Sequence, residues 1–192
     1  MKLTGAQLIG SRESALSDET FTGINPATGE NLDTDFHEAT KQEIDEAVAL
    51  ADSVFSEFRD RLADFRADFL EAIAEETMAL GDEFLERTAA ETGHPIARCA
   101  AERQRSVNQA YLFAEMIREG SWVDARIDLP DPDREPMAKP DIRSLLQPVG
   151  PVAVFGASNF PIADPNPIAR NVAIASSGSS HCHSTVVIAS PN

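Results

Sequence analysis

Residues Pro148–Pro161, read as PVGPVAVFGASNFP, join a short apolar run to a polar amide just past its end. Val152–Phe155 is rich in β-formers and suits a strand buried on both faces of a parallel sheet. Gly156, Ala157 and Ser158 follow it, and side chains this small let a ligand approach the backbone at a strand's carboxyl end, where open α/β sheets bind ligands. Asn159 stands one step beyond that edge. The spacing supports two readings: a ligand-facing sheet edge, or a plain strand-to-turn connection in which Asn159 caps the turn. No G-x-G-x-x-G occurs, so the ordinary dinucleotide fingerprint is absent.

Few other residues offer chemistry. The chain has two cysteines, Cys99 and Cys182, too few for a disulfide framework, and cytoplasmic thiols are expected. Cys99 falls within an expected helix and reads as a small core residue. Cys182 lies between His181 and His183, ligand types that suit zinc or copper. Adjacent residues do not easily reach one ion and no second ligand cluster accompanies them, so a solvated loop is expected there and no metal.

The elements that must position Asn159 are legible by period. Thr22–Glu30 reads as two extended runs around a Pro/Gly turn. Thr40 caps a helix and Glu43 completes a capping box, with Ile44, Ala47, Val48, Ala51, Phe55 and Phe58 on one face. A second helix carries Leu62, Phe65, Phe69 and Ile73 and ends near Gly81. Asp82 can cap a third, with Phe84, Leu85, Thr88 and Ala89 inward and Gly93 as its stop. His94-Pro95 opens a longer fourth helix through Ile96, Cys99, Val107, Ala110, Tyr111, Phe113 and Ile117 to Gly120. Beyond it Trp122–Asp128 alternates like a strand, Leu129–Pro140 holds four prolines and reads as a loop, and Ile142–Gln147 can form a second strand.

Charge separates these parts. Of 192 residues, 32 are acidic and 16 basic, giving a formal charge of −16. Such a balance argues against a nucleic-acid binder or a basic membrane-surface protein, and no apolar run is long enough to span a bilayer. The amino terminus lacks the apolar stretch of a signal peptide, so a cytoplasmic protein is expected. Only Lys2, Lys41 and Lys139 are lysines, a Lys-poor acidic surface of the kind a halophile or high-GC genome produces. After Gln147 the only charged side chains are Asp164 and Arg170.

The segment Phe155-Gly-Ala-Ser-Asn-Phe-Pro161 resembles the aldehyde dehydrogenase superfamily, whose members carry Asn-Phe-Pro after a hydrophobic strand. It is similar to the α-ketoglutaric semialdehyde (2,5-dioxopentanoate) dehydrogenase branch, and so are Asn25-Pro-Ala-Thr-Gly-Glu30, Glu91-Thr-Gly-His-Pro95, Phe113–Asp128 and Pro140-Asp-Ile-Arg143. Several motifs in one order, from about Leu8 to Ala163, make the resemblance specific.

The resemblance implies NAD- or NADP-dependent oxidation of a small aldehyde, 2,5-dioxopentanoate to 2-oxoglutarate in this branch. A cysteine thiolate attacks the aldehyde, hydride passes to the nicotinamide, and a glutamate-activated water releases the acid. By resemblance Asn159 is the oxyanion donor, and Phe155, Gly156, Ala157 and Ser158 are cofactor contacts. Arg103 and Arg105 are candidates for the semialdehyde's carboxylate, which a guanidinium matches in shape. The family's nucleophile and base fall past residue 192 of a full-length chain. After Asn-Phe-Pro the pattern departs: Asp164-Pro-Asn-Pro167 interrupts a helix start, and Ala189 stands where the family has a cofactor-contacting Lys. A truncated or frameshifted product is therefore expected, inactive alone.

The implied fold is α/β, an incomplete aldehyde dehydrogenase N-terminal portion. Residues 1–121 form a helical part of the cofactor domain, 122–148 oligomerisation-type strands and a Pro-rich loop, 149–163 the first Rossmann-like strand with its Asn-Phe-Pro loop, and 164–192 a divergent tail. A family-type homo-oligomer is expected of the complete enzyme, with no nucleic-acid or membrane partner. The competing reading is a non-catalytic remnant that docks on full-length subunits through Trp122–Gln147.

Overall fold

The computed structural model describes residues 3–154 and 160–162. It begins with a hairpin that the sequence did not announce, β1 (Gln7–Ile9) against β2 (Arg12–Ser14). Three residues per strand are too few to show an alternating pattern, and the turn rests on Gly10, whose φ of +60° suits glycine. β3 (Thr20–Ile24) then pairs antiparallel with β4 (Asn31–His37), as the two expected extended runs require. Their connection is closed by hydrogen bonds from Asn25 N to the Glu30 carbonyl (2.9 Å) and from Gly29 N to the Asn25 carbonyl (2.8 Å).

Four helices follow: α1 (Lys41–Asp60), α2 (Ala63–Ala79), α3 (Gly81–Thr92) and α4 (Ile96–Glu119). The Thr40–Glu43 capping box forms as expected. Glu43 does more than cap. It is 1% exposed, and its second oxygen accepts the Leu16 N–H at 3.2 Å, so one carboxylate ties the β2 exit to the start of α1.

The buried faces are narrower and richer in alanine than the large apolar residues suggested. α2 and α4 meet through Ala67, Leu70 and Ala114, flanked by Phe113 and Ile117, and through Ala74, Val107 and Ala110. Small residues on both helices let the axes approach closely, so density comes from backbone proximity. Burying Leu70 in that seam contributes about 2 kcal/mol. Val48 on α1 is 50% exposed, while Leu50 and Val54 turn inward in its place. Ile96 and Tyr111, expected on the inner face of α4, are exposed, and Cys99, Glu102, Ser106 and Ala114 occupy that face instead. Leu62 is a largely exposed N-cap residue, and Asp82 sits in the first turn of α3 without capping it.

Gly93 ends α3 in the left-handed region, φ +70°, with its N–H on the Ala89 carbonyl at 2.9 Å. A Cβ there would stand 2.9 Å from Pro26 Cγ in the β3–β4 connection. Gly93→Ala is therefore expected to cost about 1–2 kcal/mol, read as a lower urea midpoint at constant slope. An unchanged midpoint would show that the αL cap and the Pro26 contact carry no weight.

Beyond Gly120 the expected long strand is shorter. Ser121–Val123 is a 3-10 turn, and only β5 (Arg126–Asp128) is extended, pairing antiparallel with β6 (Ile142–Ser144). The Pro-rich loop between them is pinned by paired backbone hydrogen bonds of Asp131 and Lys139. All strand pairs among the described residues are antiparallel.

Candidate active site

Asn159 and the proposed cofactor positions Phe155, Gly156, Ala157 and Ser158 lie outside the described residues, as do Cys182, His181 and His183. The two flanks of the 155–159 stretch are defined, and each is held by a different part of the helical layer.

On the incoming side, Val154 packs on a buried cluster of Ile9, Ala47 and Ala51, together with Leu50. Glu43, Ala47 and Ala51 recur every four residues, so they form one row on α1. The row starts with the Glu43 carboxylate. Burial pushes its pKa up, but the Ser14 hydroxyl, the Thr40 N–H and hydroxyl and the Leu16 N–H outweigh burial and hold it at about 2. The expected strand at Val152–Phe155 is not formed among the described residues 151–154, and this entering segment rests on a helix whose first turn is fixed by a charged, buried cap.

On the outgoing side, α4 supplies the contacts. Ser106 Oγ donates to the Ile162 carbonyl at 2.7 Å. The Arg98 guanidinium carbon lies 5.2 Å from the centroid of the Phe160 ring. Arg98 Nε donates to Glu102 Oε1 at 2.9 Å, and Glu102 is 6% exposed. Sequence reading missed these three residues. An Arg and a Glu four apart are visible on any helix, but nothing in their spacing tells which loop they face.

The other predicted residues sit elsewhere on the same helix. Arg103 donates to the Gly81 carbonyl at 2.8 Å, clasping the α2–α3 junction. Arg105 is exposed and lines a shallow depression on α4 with Gln104, Asn108 and Leu112. The described structure therefore does not bring the two guanidinium groups onto a common anion position. Cys99 is 1% exposed within α4; burial, and next the nearby Glu102 charge, push its thiol pKa up. A thiol so placed is a core residue, not an activated nucleophile. Among the described residues no cluster of His, Cys, Asp and Glu could hold a metal ion, and no helix is long and apolar enough to cross a membrane.

The β5–β6 hairpin carries its apolar side chains in the open. Ile127, Leu129, Met137 and Leu146 are each more than half exposed.

Comparison with known proteins agrees with this architecture. Residues 13–176 match the model of the aldehyde dehydrogenase family. The chain is 44% identical over 164 residues to α-ketoglutaric semialdehyde dehydrogenase 2 of Azospirillum brasilense, covering 85% of this chain and 31% of the relative. It is 40% identical over 159 residues to α-ketoglutaric semialdehyde dehydrogenase of Acinetobacter baylyi, covering 83% and 30%. Among solved structures, succinate-semialdehyde dehydrogenase from Burkholderia pseudomallei superposes with a TM-score of 0.73 at 27% identity, over 88% of this chain and 35% of that one. The chain thus spans about a third of the length of the proteins it matches. On these matches and the partial fold they share, it belongs to the aldehyde dehydrogenase family.

Proposed function

We propose that this chain supplies the cofactor-facing strand and the oxyanion donor of an NAD(P)-dependent aldehyde dehydrogenase acting on 2,5-dioxopentanoate, with 2-oxoglutarate as product. The observation that carries this reading is the 40–44% identity to two α-ketoglutaric semialdehyde dehydrogenases, which extends over more than four fifths of the chain.

In this reading the small side chains of Gly156, Ala157 and Ser158, with Phe155, leave the backbone open to the cofactor. Their chemistry suits a nucleotide lying along a strand end. Phe155, Gly156, Ala157 and Ser158 would hold NAD or NADP, which would supply hydride acceptance when bound. The Asn159 amide donates to the aldehyde oxygen as it becomes negative, a task for a donor held in place before reaction. The packing of half-buried Val154 against α1 and the hydrogen bond from Ser106 to the Ile162 carbonyl support such preorganisation, because each flank of residues 155–159 has a contact with the helices. For the substrate's carboxylate, Arg105 is the first residue to substitute, since Arg103 already donates to Gly81. The exposed β5–β6 hairpin supports a role as the arm that meets other subunits.

The test is a chimera in which this chain is fused in register ahead of the remaining portion of the Azospirillum brasilense relative. The folded chimera is expected to bind NADP+ or NAD+ and oxidise 2,5-dioxopentanoate. A folded chimera that binds neither nucleotide and turns over no semialdehyde contradicts the reading.

A further inference from the structure

α4 has two faces. Cys99, Glu102, Ser106, Ala110 and Ala114 are buried along one of them. Ala101, Arg105, Asn108, Leu112 and Met116 recur at spacings of four and three, so they form a stripe on the opposite side of the helix. All five are exposed, Leu112 at 59%. The first four border the shallow depression on this helix. A hollow so open does not enclose a small molecule, which ligand sites bury almost completely.

The stripe departs from the rest of the surface in charge. Along α1, α2 and α3 no more than five successive residues pass without an Asp or Glu, whereas the twelve residues Arg103–Ala114 of α4 include none. Twelve residues make more than three turns, so the outward stripe is cleared of carboxylates along with the buried face. A solvated helix in a chain with 32 acidic residues has no reason to lose them there. A face that meets other protein does, because a carboxylate taken out of water costs free energy unless it is paired. The stripe and its edge carry Arg105, Tyr111 and Met116, residue types that protein contacts favour, and the centre of such contacts is poor in Asp and Glu.

We propose that the outward stripe of α4 is the surface that packs against the portion of an aldehyde dehydrogenase that has no counterpart in this chain. The chain spans 31% of the Azospirillum brasilense relative and 35% of the Burkholderia pseudomallei structure, so about two thirds of such an enzyme is available to cover the stripe. The occupant that fits presents apolar side chains to Leu112 and Met116 and hydrogen-bonding groups to Asn108. This contact is separate from the β5–β6 hairpin, and it holds whatever aldehyde the enzyme takes.

The test measures thiol labelling of Leu112→Cys and, separately, Asn108→Cys, in the 192-residue chain and in the folded chimera described above. Mass spectrometry of the α4 peptide isolates the introduced cysteine, and Cys99 is 1% exposed and slow to react. In the 192-residue chain each position is expected to react within about threefold of its rate in urea, and in the chimera at least about tenfold more slowly than in the chain. If Leu112→Cys itself loosens the contact, Asn108→Cys still reports, since it removes no apolar area. Leu112→Asp is expected to leave the urea midpoint of the 192-residue chain in place and to lower that of the chimera, where the new carboxylate is buried. Cysteines at 108 and 112 that react as fast in the chimera as in the chain overturn the proposal. So does protection already present in the 192-residue chain, because its own residues would then cover the stripe. An inactive chimera with a protected stripe counts against the substrate reading alone, and an active one with an open stripe against this contact alone.

Discussion

Glu43→Gln is expected to lower the unfolding free energy by about 3 kcal/mol at neutral pH, one of the larger losses a single substitution can cause here. The wild-type carboxylate accepts from Thr40 N at 2.9 Å, from Thr40 Oγ1 at 2.8 Å and from Leu16 N at 3.2 Å, with almost no access to water. A glutamine must turn an NH2 toward one set of these donors, leaving donor against donor in a buried site. The same row of α1 carries Ala47 and Ala51 beneath Val154, so the loss reaches the segment that leads into residues 155–159. The acid dependence has a fixed sign. The folded carboxyl titrates at about 2 against an ordinary 4.5, so the native state favours the charged form. Its contribution is complete above about pH 4.5 and fades as the pH falls toward 2. Urea unfolding of wild type and variant should therefore converge through that window, and a gap that stays constant with pH contradicts this account of Glu43.

How much of this was legible from sequence depends on the range of each interaction. The Thr40–Glu43 box, the Gly93 and Gly120 stops and the Pro-rich loop are local, and local chemistry set them as read. The faces of the helices were read less well. Large apolar residues such as Val48, Ile96 and Tyr111 drew the expected face toward themselves, whereas the folded helices approach through Ala67, Ala74, Ala110 and Ala114. Alanine carries little hydrophobic signal, yet its small volume is what permits close helix contact. The site divides the same way. The Asn-Phe-Pro motif is a string of neighbours and shows in the sequence. The supports of Phe160 and Ile162 come from residues more than fifty positions earlier on α4, a separation that no local pattern encodes.

Asn159→Ala in the active chimera is expected to lower kcat about 10²–10³-fold, the usual loss on removing one preorganised oxyanion donor. The reason lies in when the charge appears. The aldehyde oxygen is neutral on binding and negative only after attack, so in the proposed role the Asn159 hydrogen bond would strengthen toward the transition state. KM for the semialdehyde and the affinity for NAD+ or NADP+ should therefore change little, and the loss should fall on kcat. Asn159→Asp should be at least as damaging, because an ionised carboxylate has no proton to donate and repels the developing charge. The most direct measurement is steady-state turnover of 2,5-dioxopentanoate by wild-type and Asn159→Ala chimeras, each first shown to be folded and to bind NAD+ or NADP+. A kcat lower by about two to three orders of magnitude at nearly constant KM is the result this account predicts. An Asn159→Ala chimera that turns over within a few-fold of wild type would contradict it.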